Sequence, residues 1–219
     1  MGDANVTRIG KLDTATLSDA LDRLGIAGQC LGIKPLDPAF RLAGRAFTLL
    51  YGPQQPGGTV GDYIDAVPDG SVMMLDNRGI EDMTVWGDIL TLVAHRRGLA
   101  GTVIEGACRD VHLALDLGYP LFSRSHSMRT GKDRVQLDAT GVPITIGGVR
   151  VLPGDLVRGD CDGVVVLPRG REDEVLDAAE AIEAAEEEIR KAVLAGERLT
   201  DARARLRYHS LQTRTGGAS

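Results

Sequence analysis

A mixed α/β fold is predicted by three features of the 219-residue sequence. Short apolar runs bounded by Gly, Pro and Asn alternate with segments of helical periodicity. Glycine is frequent, at 28 residues, against a usual share of roughly 7%, so tight turns between short elements are expected. The C-terminal quarter carries one long amphipathic pattern with an acidic start and a basic end.

The elements follow in order. In "LDTATLSDALDRLG", Leu17, Ala20, Leu21 and Leu24 recur at i, i+3, i+4 and i+7, which predicts a helix. Asp13 or Thr14 can cap its start and Gly25 can end it. "RAFTLLYG", "GSVMMLDN", "AGTVIEG" and "GYPLFSR" read as short buried strands. Between the second and third of these, Thr84 to Gly98 has a helical pattern after a turn at Gly87. Its Ile89, Leu92, Val93 and Arg96 fall on one side. "VHLALDLG" is the next helix. From Pro143, "PITIGGVRVLPGDLVRGDCDGVVVLP" packs strands around Gly-Gly, Pro-Gly and Asp-Gly turns, the signature of antiparallel pairing.

Residues 172–188 then hold nine acids and no base, and residues 189–207 six bases and two acids. Val175, Leu176, Ala179, Ile182, Ile189 and Val193 are interleaved, so a single long helix with an exposed charged face is expected. The tail "TRTGGAS" is expected to fray. Residues 1–170 form the core in this reading. Residues 171–219 are a C-terminal helix and tail of the same domain.

Bulk properties exclude several classes. The formal charge of −6 comes without a basic block, so nucleic acid is not an expected partner. No apolar run approaches the roughly 20 residues of a membrane span, and the N-terminus lacks a signal-peptide stretch. Cys30, Cys108 and Cys161 show no CxxC spacing. Free thiols and a cytoplasmic location are expected, with Cys108 as a small packing residue.

The chemistry concentrates in "GDILTLVAHRRGLAGTVIEGACRD", residues 87–110. The amides of Asp88, Ile89 and Leu90 open a helix and lack intrahelical partners, so this turn can receive a carboxylate. Arg109 and Asp110 follow the next strand. Bringing them to Asp88 needs a tertiary arrangement. The plainer reading makes Asp88 a dipole partner, Asp110 a helix cap and Arg109 a surface ion-pair former.

Asp88, twenty intervening residues, then Arg109-Asp110 resembles the D-X20-R-D motif of the class II pyruvate aldolases of the RraA-like family. These include the 4-hydroxy-4-methyl-2-oxoglutarate (HMG) and 4-carboxy-4-hydroxy-2-oxoadipate aldolases. "TLSDAL", "WGDILT", "GYPLF" and "GGVRVLPGDLVRGDCDGVVVLP" extend the resemblance over most of the chain.

The resemblance implies a three-layer β/β/α sandwich of the swivelling-domain type, assembled as a homotrimer or homohexamer with sites between subunits. It implies a small 2-oxo acid substrate held by Arg109 and the turn Gly87, Asp88, Ile89 and Leu90. Asp110 would ligate a divalent cation, Mg or Mn, and Asp88 would hold water on it. A C-terminal Glu of a neighbouring subunit would act as base, and Glu187 in "EEEIR" is the candidate. The implied activity is retro-aldol release of pyruvate from a 4-hydroxy-2-oxo di- or tricarboxylic acid, with oxaloacetate decarboxylation through the same enolate. The family also contains noncatalytic ribonuclease-binding regulators, the alternative reading.

The residues agree with metal rather than Schiff-base chemistry. Lys11, Lys34, Lys132 and Lys191 all lie outside apolar strands, where desolvation would lower an amine pKa. His95, His112, His126 and His209 show no zinc-ligand spacing. Glu105 stands where family members often carry Asp, and is expected either to shift the turn or to add an acid near the metal. Arg124 is a candidate for a second substrate carboxylate.

Overall fold

The structure is a computed structural model describing residues 2–55 and 58–206, with Tyr208 and Thr213. The remaining residues, including the end of the "TRTGGAS" tail, lie outside the described residues.

Helices α1 (Ala4–Ile9) and α2 (Thr14–Leu24) come first. Asp13 caps α2 through its carboxylate on the Thr16 amide (2.7 Å), and Gly25 ends it in the left-handed conformation. Strands β1 (Gln29–Cys30), β2 (Lys34–Pro35), β3 (Leu42–Pro53) and β4 (Val72–Thr84) follow. Then come α3 (Asp88–Arg96), β5 (Gly101–Cys108), α4 (Val111–Leu117), β6 (Leu121–His126) and β7 (Val135–Thr140). The hairpin β8 (Ile144–Ile146) and β9 (Val149–Val151) precedes β10 (Leu156–Gly159), β11 (Val164–Leu167), α5 (Glu172–Leu194) and α6 (Leu199–Arg205).

A nine-stranded mixed sheet runs β1-β11-β10-β3-β4-β5-β6-β2, with β7 added on β3. Strands β3, β4, β5 and β6 are mutually parallel. The antiparallel pairs predicted after Pro143 are present as β8–β9 and β10–β11.

Register shows how the layers stack. Asp76 of β4 pairs with Glu105 of β5, so both side chains point to one face. There Asp76 accepts from the Thr145 amide (2.9 Å) and Glu105 from the Gly147 amide (2.5 Å). These two acids tie the β8–β9 hairpin onto that face. Thr102, one step out of phase with Glu105, meets the Tyr119 hydroxyl on the opposite face at 2.8 Å. Helices α3 and α4 cover that side, which gives the expected β/β/α layering. A second core, with Leu17 and Leu21 of α2, Leu156, Leu167, and Val175, Leu176 and Ile182 of α5, seats the C-terminal helix on the β10–β11 end of the sheet.

One expectation needs correction. The C-terminal pattern is two helices rather than one: the chain breaks after Leu194, where Gly196 takes φ +92°, a conformation suited to glycine. Thr84 lies in β4, and the helix begins at Asp88 after the turn at Gly87, as expected. The side of α3 that carries Ile89, Leu92, Val93 and Arg96 is not its buried one. Thr91 and Ala94 are buried, whereas Ile89 and Leu92 are 73% and 43% exposed. The 3.6-residue period is real, but apolar residues lie on both sides of the helix, and the smaller ones face the sheet.

Candidate active site

Parallel neighbours end at the same edge of a sheet, and that edge is where open α/β folds place ligands. Because β4 and β5 are parallel and adjacent, the turn after β4 (Gly87, Asp88) and the turn after β5 (Arg109, Asp110) meet there. Backbone bonds lock them together: the Val85 amide donates to Ala107 O (3.3 Å) and the Arg109 amide to Trp86 O (2.9 Å). A Cβ on Gly87 would sit 2.9 Å from Asp110 Oδ2 and 3.4 Å from Arg109 Nε. The tertiary arrangement that the sequence leaves open is therefore present.

Asp110 occupies the N-cap position of α4 without capping it. Its φ of 53° is left-handed, and its side chain makes no capping bond. A non-glycine residue in that region is uncommon and costs on the order of 1–3 kcal/mol. Its carboxylate instead lies 3.3 Å from Arg109 Nε, half-buried. The plain capping reading of Asp110 is excluded, and a hard oxygen donor is left available to a Mg- or Mn-type ion. Asp160, Cys161 and Asp162 also lie within reach of one ion. There, however, the Asp160 carboxylate already accepts from the Thr14 amide and hydroxyl and the Asp162 amide, at 2.7, 2.6 and 3.0 Å.

Asp88 opens α3, a helix of nine residues. Its Oδ1 accepts from the Ile89 amide at 2.8 Å. The Asp88 side chain thus competes for one of the three first-turn donors, leaving the amides of Asp88 and Leu90 for a ligand.

A cavity of about 580 Å³ opens beside this junction, lined by Gly87, Asp88, Ile89, Leu90 and Arg109. Asp110 lies against Gly87, behind these lining residues rather than among them. Two further walls were not read from the sequence. One is the loop of residues 58–62, steadied by the Tyr51 hydroxyl donating to Val60 O at 2.8 Å. The other is the turn of residues 130–133, which brings Lys132 and Asp133 to the cavity. Thr84 pins this turn: its amide and hydroxyl both donate to Arg129 O, at 3.1 and 2.9 Å. A Cβ on Gly131 would come within 2.3 Å of Thr84 O, so only glycine fits. The "TGKD" turn was the available signal for this wall, but nothing local shows that it folds back on β4.

Other candidates lie elsewhere. Glu105 faces the hairpin, and its second oxygen accepts from Arg124 Nε at 2.5 Å. Its extra methylene spans the gap to Gly147, so it neither adds an acid beside Asp110 nor leaves Arg124 free for substrate. Glu187, on the exposed side of α5, is paired with Arg190 (3.2 Å) and Lys191 (3.8 Å), and α5 contributes no described lining residue to the cavity. Cys108 is fully buried beside Ser123, and burial raises its thiol pKa. It is a packing residue, as expected. All three cysteines are free.

The chain is thus a mixed α/β protein in which a helix start, Arg109 and the Arg109-paired carboxylate of Asp110 meet at one sheet edge. Within that class, a family model described as Aldolase/RraA matches residues 14–166, and the chain belongs to the RraA-like family. It is 42% identical to the protein DlpA of Legionella pneumophila over 87% of this chain but only 32% of DlpA. It thus spans about a third of that relative's length. A protein of Halalkalibacterium halodurans named "Putative 4-hydroxy-4-methyl-2-oxoglutarate aldolase" is 33% identical over 86% of this chain and 88% of its own. Among solved structures, an uncharacterized protein from Pseudomonas syringae pv. tomato superposes with a TM-score of 0.87 at 43% identity, covering 93% of this chain and 98% of its own. RraAS2 of Streptomyces coelicolor, a member of the RNase ES inhibitor RraA family, gives 0.79 at 31% identity, covering 85% and 97%.

Proposed function

We propose that this protein is a divalent-metal-dependent carbon–carbon lyase, a class II pyruvate aldolase. It releases pyruvate from a 4-hydroxy-2-oxo di- or tricarboxylic acid and decarboxylates oxaloacetate through the same enolate. The observation that carries the reading is the meeting of Arg109 and the Gly87–Leu90 turn on one cavity, with Asp110 packed against Gly87 and Arg109.

Arg109 binds the 2-oxo acid carboxylate with the open amides of the α3 first turn, a fork and a dipole that both favour an anion. In the retro-aldol step a base takes the proton of the C4 hydroxyl, C4 becomes a carbonyl, and the C3–C4 bond breaks. Its electrons move onto the 2-oxo group as the pyruvate enolate, which is then protonated at C3. In oxaloacetate the electrons released with CO₂ reach the same enolate. Asp110 would hold a divalent cation, which when bound would supply Lewis-acid stabilisation of negative charge on the 2-oxo group. Asp88, on the cavity wall, would hold a proton-carrying water. Lys132, from another wall, suits the second carboxylate of a dicarboxylic substrate. The base is assigned to Glu187 of a neighbouring subunit in a trimer or hexamer.

The test is pyruvate release from oxaloacetate and from HMG with Mg²⁺ or Mn²⁺, then with EDTA, in wild type and Asp110→Ala. Release that needs the metal and disappears in the variant is the expected result. No release from either substrate by folded, metal-supplied protein would remove the reading and favour the ribonuclease-binding regulators of the family.

A further inference from the structure

The "WGDILT" stretch contains two buried residues to which the carboxylate-binding reading gives no role: Trp86, which also lines the cavity, and Thr91, which does not. Trp86 is 2% exposed and Thr91 1%. The Trp86 indole N–H donates to Thr91 Oγ1 at 2.9 Å, and that hydroxyl donates to Gly87 O, also at 2.9 Å. Gly87 O accepts the Thr91 amide as well, at 3.0 Å. The N-cap carbonyl of α3 is thus held twice by one residue.

A Thr hydroxyl bonded to the carbonyl four residues back is common in helices and bends them slightly. Two features separate this case. The carbonyl belongs to Gly87, which is packed directly against Asp110 and Arg109. The hydroxyl is also oriented from outside the helix, by an indole that is itself fixed. Trp86 lies parallel to Tyr119, with an interplanar angle of 6° and ring centroids 6.4 Å apart, within the range of offset stacking. The Tyr119 hydroxyl is anchored on Thr102 at 2.8 Å, and its amide donates to Ala114 O of α4 at 2.9 Å. The chain of contacts therefore runs from β5 and the end of α4, through Tyr119, Trp86 and Thr91, to the carbonyl of Gly87. Trp86 O, in turn, accepts the Arg109 amide.

We propose that Thr91 is a positioning residue whose hydroxyl, aimed by the Trp86 indole, sets the angle between the first-turn amides of α3 and Arg109, and with it the fit of a substrate carboxylate. The inference rests on the carboxylate-binding role proposed above for this turn. Its chemistry is specific to the hydroxyl: serine can make both bonds, whereas valine, of nearly the same shape, makes neither.

The experiment compares wild type, Thr91→Val, Thr91→Ser and Trp86→Phe as metal-loaded full-length protein. It measures oxaloacetate turnover, inhibition by oxalate, a planar dianion resembling the enolate, and Tm. Thr91→Val is expected to raise KM and the oxalate inhibition constant together by about tenfold, with a smaller change in kcat. Thr91→Ser is expected to restore both. Trp86→Phe, which removes the N–H donor and keeps an aromatic ring, should move both constants in the same direction as Thr91→Val. Because Trp86 also lines the cavity, Thr91→Ala, which likewise lacks the hydroxyl, carries the test if the valine variant does not fold. A Thr91→Val protein with lowered Tm but unchanged constants would overturn the proposal, because the residue would then serve stability alone. A Thr91→Ser variant as impaired as Thr91→Val would overturn it too, since packing rather than the hydroxyl would be responsible. Absence of turnover in wild type is a different failure. It removes the proposed activity, and the positioning role falls with it.

Discussion

Arg109 Nε lies 3.3 Å from Asp110 Oδ2 across a backbone in which Asp110 is left-handed. The pair is adjacent in sequence, and such neighbours do not ordinarily face each other in extended chain, where successive side chains alternate. The turn into α4 rotates both toward Gly87. Arg109→Lys keeps the charge but loses the planar fork. In the lyase reading, KM for oxaloacetate should rise at least about tenfold in Arg109→Lys, with the fold intact by circular dichroism. A lysine variant with wild-type KM would show that Arg109 does not hold the carboxylate.

Gly87 is extended, with φ −151°, so its backbone does not require glycine. What requires it is space, since a Cβ would meet Asp110 Oδ2 at 2.9 Å and Arg109 at 3.4 Å. Gly87→Ala is expected to displace these side chains by several tenths of an ångström and to lower kcat/KM by about 10²-fold. Because the crowded atoms belong to side chains that are partly exposed and can shift, stability should fall by no more than about 1 kcal/mol. Steady-state kinetics with a denaturant melt checks both halves. A large stability loss with unchanged kinetics would contradict this account.

Much of the architecture was legible in the sequence because it is written in local signals. Asp13 and Gly25 mark the ends of α2, and the Gly147-Gly148 turn marks the β8–β9 hairpin. The spacing from Asp88 to Arg109 also carried the site, but only through resemblance. What brings those residues together is the parallel pairing of β4 with β5, a non-local contact with no local signature. The Lys132 wall was missed for the same reason, since Thr84 and Gly131 are far apart in sequence. The periodicity of α3 groups Ile89 and Leu92 on one side, but it reports that a helix has faces, not which face meets the sheet.

Asp160 gives a prediction independent of function. It is 2% exposed. Burial pushes its pKa up, but hydrogen bonds from Thr14 and Asp162 and the Arg158 charge outweigh that and leave it below the usual value. The folded pKa is therefore lower than the unfolded one, near 3.9. Its stabilisation is fully present above that value and is lost as pH falls through the folded pKa. Asp160→Asn should destabilise the protein by about 1–3 kcal/mol at pH 7, with a smaller deficit near pH 3. Urea melts at the two pH values measure the difference. An equal deficit at both would mean that the charge is not what ties α2 to the β10–β11 turn.

Glu187 provides the sharpest test of the proposed assembly. Its helix packs on α2, and the residue is paired with Arg190 and Lys191 on an exposed face. No described residue of α5 lines the cavity at the ends of β4 and β5. If Glu187 is the base, it must act in the cavity of another copy. Asp110→Ala and Glu187→Gln proteins should each be inactive as pure oligomers. When the two are unfolded together and refolded, mixed oligomers should regain activity, because some cavities then combine an intact Asp110 with an intact Glu187 from the neighbour. In a randomly mixed equimolar assembly with one contact per site, that combination arises at about a quarter of the sites by chance. Size-exclusion chromatography with light scattering establishes that mixed oligomers have formed. Mixed oligomers without recovered turnover, or an active pure Glu187→Gln protein, would remove Glu187 from the mechanism and turn the search for the base to Asp62 and Asp133, the other acids on the cavity wall.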